Sequence, residues 1–130
     1  MSHVSPLSVR ITASHFSEEP GRKPYVLYTI RVDRQQEEES WTVDRRYRDF
    51  VALRKAVLSC FSGSLRIPLP PKKILGNLDV MFVAQRLNGL QAFLDALQQY
   101  SAVMQLPPVL AFFNAKEKCS SFVGTRIGKF

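Results

Sequence analysis

The chain has 130 residues, 45% of them hydrophobic, and carries a net charge of +7. That length sustains one modest core, and every apolar run is broken by a charge or a proline before the roughly 18 residues a membrane span needs. The two cysteines, Cys60 and Cys119, lack CxxC spacing, so neither a disulfide framework nor a zinc site is indicated, and Met1 to Pro6 has neither the basic region nor the apolar run of a secretory signal.

The charge is unevenly placed. Residues 1–44 hold five Lys/Arg against seven Asp/Glu, whereas residues 45–130 hold thirteen against four, so −2 is followed by +9. Such a concentration of cations draws anions, whether nucleic acid, a membrane surface or an acidic protein.

Leu7, Val9, Ile11 and Ala13 alternate with Ser8, Arg10, Thr12 and Ser14, the period of a half-buried strand, which is expected to end near Phe16. The turn pair Pro20-Gly21 leads into Tyr25 to Val32, rich in β-branched and aromatic residues and read as a second strand. After the short acidic stretch Asp33 to Glu39, Trp41 and Val43 alternate with Thr42 and Asp44 in a third. Three successive strands predict an antiparallel meander.

From Tyr47 the period changes. Tyr47, Phe50, Val51, Val57, Leu58 and Phe61 recur at helical spacing, and Ser62-Gly63-Ser64 is expected to end that helix. Pro68-Leu69-Pro70-Pro71 cannot be helical and predicts an extended polyproline stretch. A second amphipathic helix is predicted from about Phe82, with Val83, Leu87, Leu90, Phe93, Leu94 and Leu97 on one face and Gln85, Gln91, Asp95 and Gln98 on the other. Pro107-Pro108 precedes a short helix over Val109 to Phe113. The expected division is one domain over residues 1–115 and a basic C-terminal tail or linker over 116–130.

Four groups carry chemistry. Arg45-Arg46-Tyr47-Arg48 sits where strand becomes helix and presents three guanidiniums beside an aromatic ring; a guanidinium matches phosphate oxygens bidentately, and a ring supplies an apolar wall. The plainer reading makes Tyr47 a core residue and leaves the arginines solvated. Lys72-Lys73 follows the stiff prolines, which can hold a lysine at a fixed distance; the plainer readings are a soluble turn or a PxxP ligand. Arg86 occupies a stripe position between Val83 and Leu90, where either snorkelling or a bound anion would compensate its charge. The loop Ile74 to Phe82 holds many large apolar residues and one acid, a composition suited to a lipid surface unless Val80 and Phe82 pack inward. His3 and His15 have no nucleophile motif beside them, and no paired carboxylates accompany a glycine-rich phosphate loop, so no catalysis, cofactor or metal is expected.

Together RRYRDFVALRKAV from Arg45, PLPPKKILG from Pro68 and RLNGLQAFLDAL from Arg86 resemble the PX (phox-homology) domain, in that family's order and approximate spacing over about residues 7–115. The resemblance implies an α+β fold, a three-stranded antiparallel sheet packed against a helical subdomain, with a polyproline loop between the first two long helices. It further implies a membrane-targeting module that recognises phosphatidylinositol 3-phosphate at the cytosolic face of endosomes. Arg46 would contact the 3-phosphate, Tyr47 would stack under the inositol ring, Lys72 would reach the 1-phosphate and Arg86 would bind the 4- and 5-hydroxyls. Lys73 could take the role of Lys72, and Arg45 or Arg48 could engage another phosphate. Ile74, Leu75, Leu78 and Val80 would belong to a membrane-inserting loop. The rival keeps the fold but makes it a protein-interaction module, through Pro68 to Pro71 or the basic face. Nucleic-acid binding is disfavoured because most aromatics sit at core-periodic positions.

Overall fold

In the computed structural model, which describes residues 7–61, 65–72 and 79–115, the alternating N-terminal residues form strand β1 (Leu7–Phe16). It pairs antiparallel with β2 (Val26–Arg34), and β2 pairs antiparallel with β3 (Glu39–Arg46), giving a sheet ordered β1-β2-β3. Gly21 adopts a φ of 78° in the β1–β2 connection, a left-handed conformation that costs glycine little. Val9 and Ile11 are buried as their alternation predicts, but the register shifts between Ile11 and Ala13, and the rest of β1 is exposed. This bulge re-aims the side chains beyond it, which is why Ala13 does not continue the inward set.

Helix α1 (Tyr47–Ser59) buries Phe50, Leu53 and Val57. Val51, expected on that stripe, is instead 39% exposed, and Leu53 takes its place because 50, 53 and 57 follow the three-four spacing of one face. Helix α2 (Val80–Gln98) begins at Asp79, whose carboxylate accepts hydrogen bonds from the amides of Met81 (2.8 Å) and Phe82 (3.3 Å). It buries Val83, Arg86, Leu90, Phe93, Leu94 and Leu97. Helix α3 (Pro107–Phe112) opens on the two prolines, whose missing amides cost nothing in a first turn.

Phe50 joins the layers. Its ring meets Tyr28 of the sheet at 6.3 Å, Phe93 of α2 at 6.0 Å and Phe112 of α3 at 5.2 Å, each edge to face. Two glutamines predicted on the polar face of α2 turn out to serve the free edge of β1. Gln98 Oε1 accepts from the Val9 amide (3.1 Å) and its Nε2 donates to the Val9 carbonyl (3.3 Å), while Gln91 Oε1 accepts from the Ile11 amide (2.7 Å). Seven residues apart on one helix face, they satisfy backbone groups that an edge strand otherwise leaves unpaired. The helix stop at Ser62-Gly63-Ser64, the loop residues Lys73, Ile74, Leu75 and Leu78, and the tail from Lys116 lie outside the described residues.

Candidate functional site

Antiparallel pairing places Leu27 opposite Arg46, so the start of β2 lies beside the junction where β3 becomes α1. Residues 65–72 form an extended strap that closes the other side. Arg54 Nε donates to the Ile67 carbonyl (2.8 Å), the Tyr47 hydroxyl donates to the Pro70 carbonyl (2.5 Å), and Arg86 Nη2 donates to the Pro71 carbonyl (3.2 Å). The strap also lies against α2 at Gly89, where an added Cβ would stand 2.8 Å from the Pro70 ring. Glycine is needed there for the close approach rather than for its backbone freedom.

Between strap, helix and sheet is a cavity of about 390 Å³, within the range of small-molecule sites. Lys23, Arg46, Arg48, Lys72 and Arg86 line it together with Tyr25, Tyr28 and Tyr47, and among the described residues no carboxylate does. Arg46, Tyr47 and Arg48 are the cap and first two residues of α1, so the positive end of the helix dipole points the same way as the side-chain charge. The carboxylate of Asp49 is occupied with the Arg46 amide at 2.9 Å.

The arginines are held by rings. The Arg46 guanidinium carbon lies 3.6 Å from the centre of the Tyr25 ring, and that of Arg86 lies 3.8 Å from Tyr47 and 4.5 Å from Phe82. Arg86 is buried, and its Nε has no hydrogen-bond partner among the described residues. Burial pulls its pKa below the ordinary guanidinium range, against the opposing influence of the Tyr28 and Tyr47 phenols. Burial likewise raises the pKa of Tyr28, and the nearby Arg86 charge partly offsets it. An anion entering the cavity would supply the acceptor that Arg86 lacks.

Arg46, Tyr47, Lys72 and Arg86, expected from the sequence to act together, thus share one cavity, and Arg48 joins them. Arg45 does not line it. Adjacent strand residues point to opposite faces, and Arg45 donates instead from Nε to the Phe112 carbonyl (2.9 Å), from Nη1 to the Asp44 carbonyl (2.9 Å) and from Nη2 to Asn114 Oδ1 (3.3 Å). Its guanidinium ties the end of α3 to the sheet, with donors from all three of its nitrogens engaged there. Val80 is 77% exposed at the start of α2, and Met81 beside it is 70% exposed; neither packs inward. Lys23 and Tyr25 were not legible as site residues, because strand register brings them there rather than any local motif.

The model of the PX domain matches residues 33–116. The chain belongs to the PX domain family. This PX domain is 39% identical over 93 residues to a PX domain-containing protein kinase-like protein of Rattus norvegicus, an alignment covering 71% of this chain and 15% of the relative. It is 37% identical over 92 residues to sorting nexin-16 of Mus musculus, covering 70% and 26%. The chain therefore spans a small part of these relatives. Among solved structures, a designed CISK-PX domain superposes with a TM-score of 0.73 at 27% identity, covering 83% of this chain and 99% of that one. PX domains of the sorting nexin type are non-enzymatic and generally bind phosphoinositides. Among the described residues no helix is long and apolar enough to cross a membrane.

Proposed function

We propose that this PX domain recognises phosphatidylinositol 3-phosphate and thereby attaches to the cytosolic face of endosomal membranes. The observation that carries this reading is the cavity itself, walled by cations and tyrosines without a carboxylate among the described residues, with a buried guanidinium whose Nε has no partner among them. In this reading Arg46 takes the 3-phosphate, Tyr47 forms the floor under the inositol ring, Lys72 reaches the 1-phosphate and Arg86 holds the 4- and 5-hydroxyls. Stacking of Arg46 on Tyr25 supports the first assignment, since a ring-held guanidinium loses less entropy when it grips a phosphate.

Insertion of the apolar loop, with Ile74, Leu75, Leu78 and the exposed Val80, would add attachment to recognition, at up to about 1.5–3 kcal/mol for each large apolar side chain buried. The binding module would extend over residues 1–115, with 116–130 as a basic C-terminal tail or linker, and would itself catalyse nothing. A polyproline ligand for a protein partner is the less favoured use of Pro68 to Pro71, because the carbonyls of Pro70 and Pro71 and the Pro70 ring are already engaged within the domain.

Co-sedimentation with liposomes carrying each phosphoinositide in turn, at physiological salt, tests the reading. Wild type is expected to select 3-phosphorylated lipid, and Arg46→Ala to lose that selection. Binding that tracks only total liposome charge would sink the pocket reading and leave a nonspecific basic face, and no binding at all would favour the protein partner.

A further inference from the structure

The strap that carries Lys72 is held in place by polar tethers and a steric spacer. The Tyr47 hydroxyl donates to the Pro70 carbonyl (2.5 Å) and Arg86 Nη2 to the Pro71 carbonyl (3.2 Å), and both of these side chains line the cavity. Upstream, Arg54 Nε holds the carbonyl of the buried Ile67 (2.8 Å). The spacer is the contact of Pro70 with α2. A Cβ built on Gly89 would stand 2.8 Å from Pro70 Cγ, 3.2 Å from its Cβ and 3.3 Å from its Cδ, so the ring rests directly on the helix backbone.

Glycine is a costly residue at that place. Gly89 lies in the middle of α2, where it weakens a helix relative to alanine, and its φ is not in the left-handed region. The backbone therefore does not require glycine; the proline ring above it does. Pro70 cannot yield by swinging a side chain aside, because its ring is closed on its own backbone nitrogen. A methyl group at residue 89 must move the strap itself, by about 0.7 Å if the closest contact is to reach an ordinary carbon–carbon distance. The Arg86 bond to Pro71, already at the long end of the hydrogen-bond range, is the first that such a shift breaks. Lys72 is the next residue along the chain, with no flexible segment between it and the displaced carbonyl.

We propose that Gly89 is a positioning residue for Lys72: by letting Pro70 seat on α2, it fixes where on the cavity wall Lys72 stands, and with it the ability of the pocket to read a 1-phosphate together with the 3-phosphate. This rests on the phosphoinositide reading and gives a role within it to a residue that touches no ligand.

Titration with soluble inositol 1,3-bisphosphate and inositol 3-phosphate tests the role, because the ratio of the two affinities reports the 1-phosphate contact and does not depend on the fraction of folded protein. Wild type should favour the bisphosphate about tenfold or more, as one charge-assisted contact provides, and Lys72→Gln should bring the ratio to about one. Gly89→Ala should lower it to about twofold or less, since a misplacement of this size forfeits most of an oriented contact. Adding Pro70→Ala to Gly89→Ala removes the ring and should restore most of the lost discrimination, with Pro71 still keeping residue 70 extended. In a Lys72→Gln background Gly89→Ala should change the ratio no further. Asn88→Ala places the same helix former at the exposed neighbouring position and should leave the ratio at its wild-type value. An unchanged ratio in Gly89→Ala, no recovery on adding Pro70→Ala, or an equal fall in Asn88→Ala would overturn the positioning role and leave the phosphoinositide reading intact. A wild-type ratio of one, with both headgroups bound, would overturn the Lys72 assignment and the positioning role with it. Failure of wild type to prefer either headgroup over inorganic phosphate would overturn the phosphoinositide reading itself.

Discussion

Arg45 and Arg46 are neighbours on β3, yet they face two different regions of the molecule. On one side Arg45 reaches two backbone carbonyls and a side-chain amide while lying 5.4 Å from the centre of Phe112. Nearby on the same sheet, Arg34 lies over Trp41 at 5.7 Å with its Nε 3.3 Å from Glu39, and Trp41 Nε1 donates to the Phe113 carbonyl at 2.7 Å. On the other side Arg46 and Arg86 are stacked on tyrosines as well, but among the described residues carboxylates are missing from the cavity wall and the buried Arg86 has a single carbonyl acceptor. The aromatic support is common to both regions. What separates them is where the donors go: Arg45 spends donors from three nitrogens on the protein's own oxygens and holds the fold, whereas Arg46 is held by a ring and Arg86 by rings and one carbonyl, which leaves donors over among the described residues.

The sharpest way to break this comparison is Arg86→Met. Removing a charge-assisted contact of about 1.5–3 kcal/mol should weaken phosphoinositide binding roughly 10- to 150-fold. Stability should stay within about 1 kcal/mol of wild type or rise, because a buried and incompletely partnered charge gives way to an apolar chain of similar reach. Liposome binding and urea denaturation measure the two effects separately. A loss of several kcal/mol in stability would place Arg86 among the structural arginines and erase the distinction.

Arg45→Ala is the converse. With three donors removed and the end of α3 released from the sheet, a loss of about 2 kcal/mol in unfolding free energy is expected, while the order of preference among phosphoinositides is kept by the folded fraction. Denaturation followed by tryptophan fluorescence is well placed to report it, since Trp41 is tied to Phe113 at the same junction. Altered lipid preference without a stability loss would mean that Arg45 belongs to the cavity after all.

How much of this was legible depended on the range over which each feature is specified. The strands, the meander and the helices follow from local period, and Arg86 was conspicuous because it broke an apolar stripe. Local period failed where geometry was reset, since the bulge after Ile11 ended the alternation before Ala13; on α1 the expected Val51 was the wrong reading of a period that Phe50, Leu53 and Val57 keep. The motif around Tyr47 could be read as a binding element, but not which of its arginines line the cavity; strand alternation at Arg45 and Arg46 separates the two once β3 is known to run to Arg46. Lys23 and Tyr25 enter through the pairing of Leu27 with Arg46, a contact between distant parts of the chain. Gln91 and Gln98 looked like a solvated face because nothing local marks the β1 edge they cover.

The smallest expected effect concerns the stack beneath Arg46. Tyr25→Leu keeps an apolar side chain at the start of β2 but removes the ring, so the guanidinium loses a cation–π contact of about 0.5–1 kcal/mol and binding should fall about two- to fivefold. Tyr25→Phe keeps the ring and removes only the hydroxyl, which makes a long 3.4 Å contact with the exposed Glu19, and affinity should remain within about twofold of wild type. The pair of variants therefore separates support of Arg46 from anchoring of the β1–β2 connection. If both weaken binding equally, the hydroxyl's hold on the connection matters more than the stack, and Arg46 would need another explanation for being held ready. If only Tyr25→Leu does, the ring is what keeps Arg46 aimed at the cavity without using any of its donors.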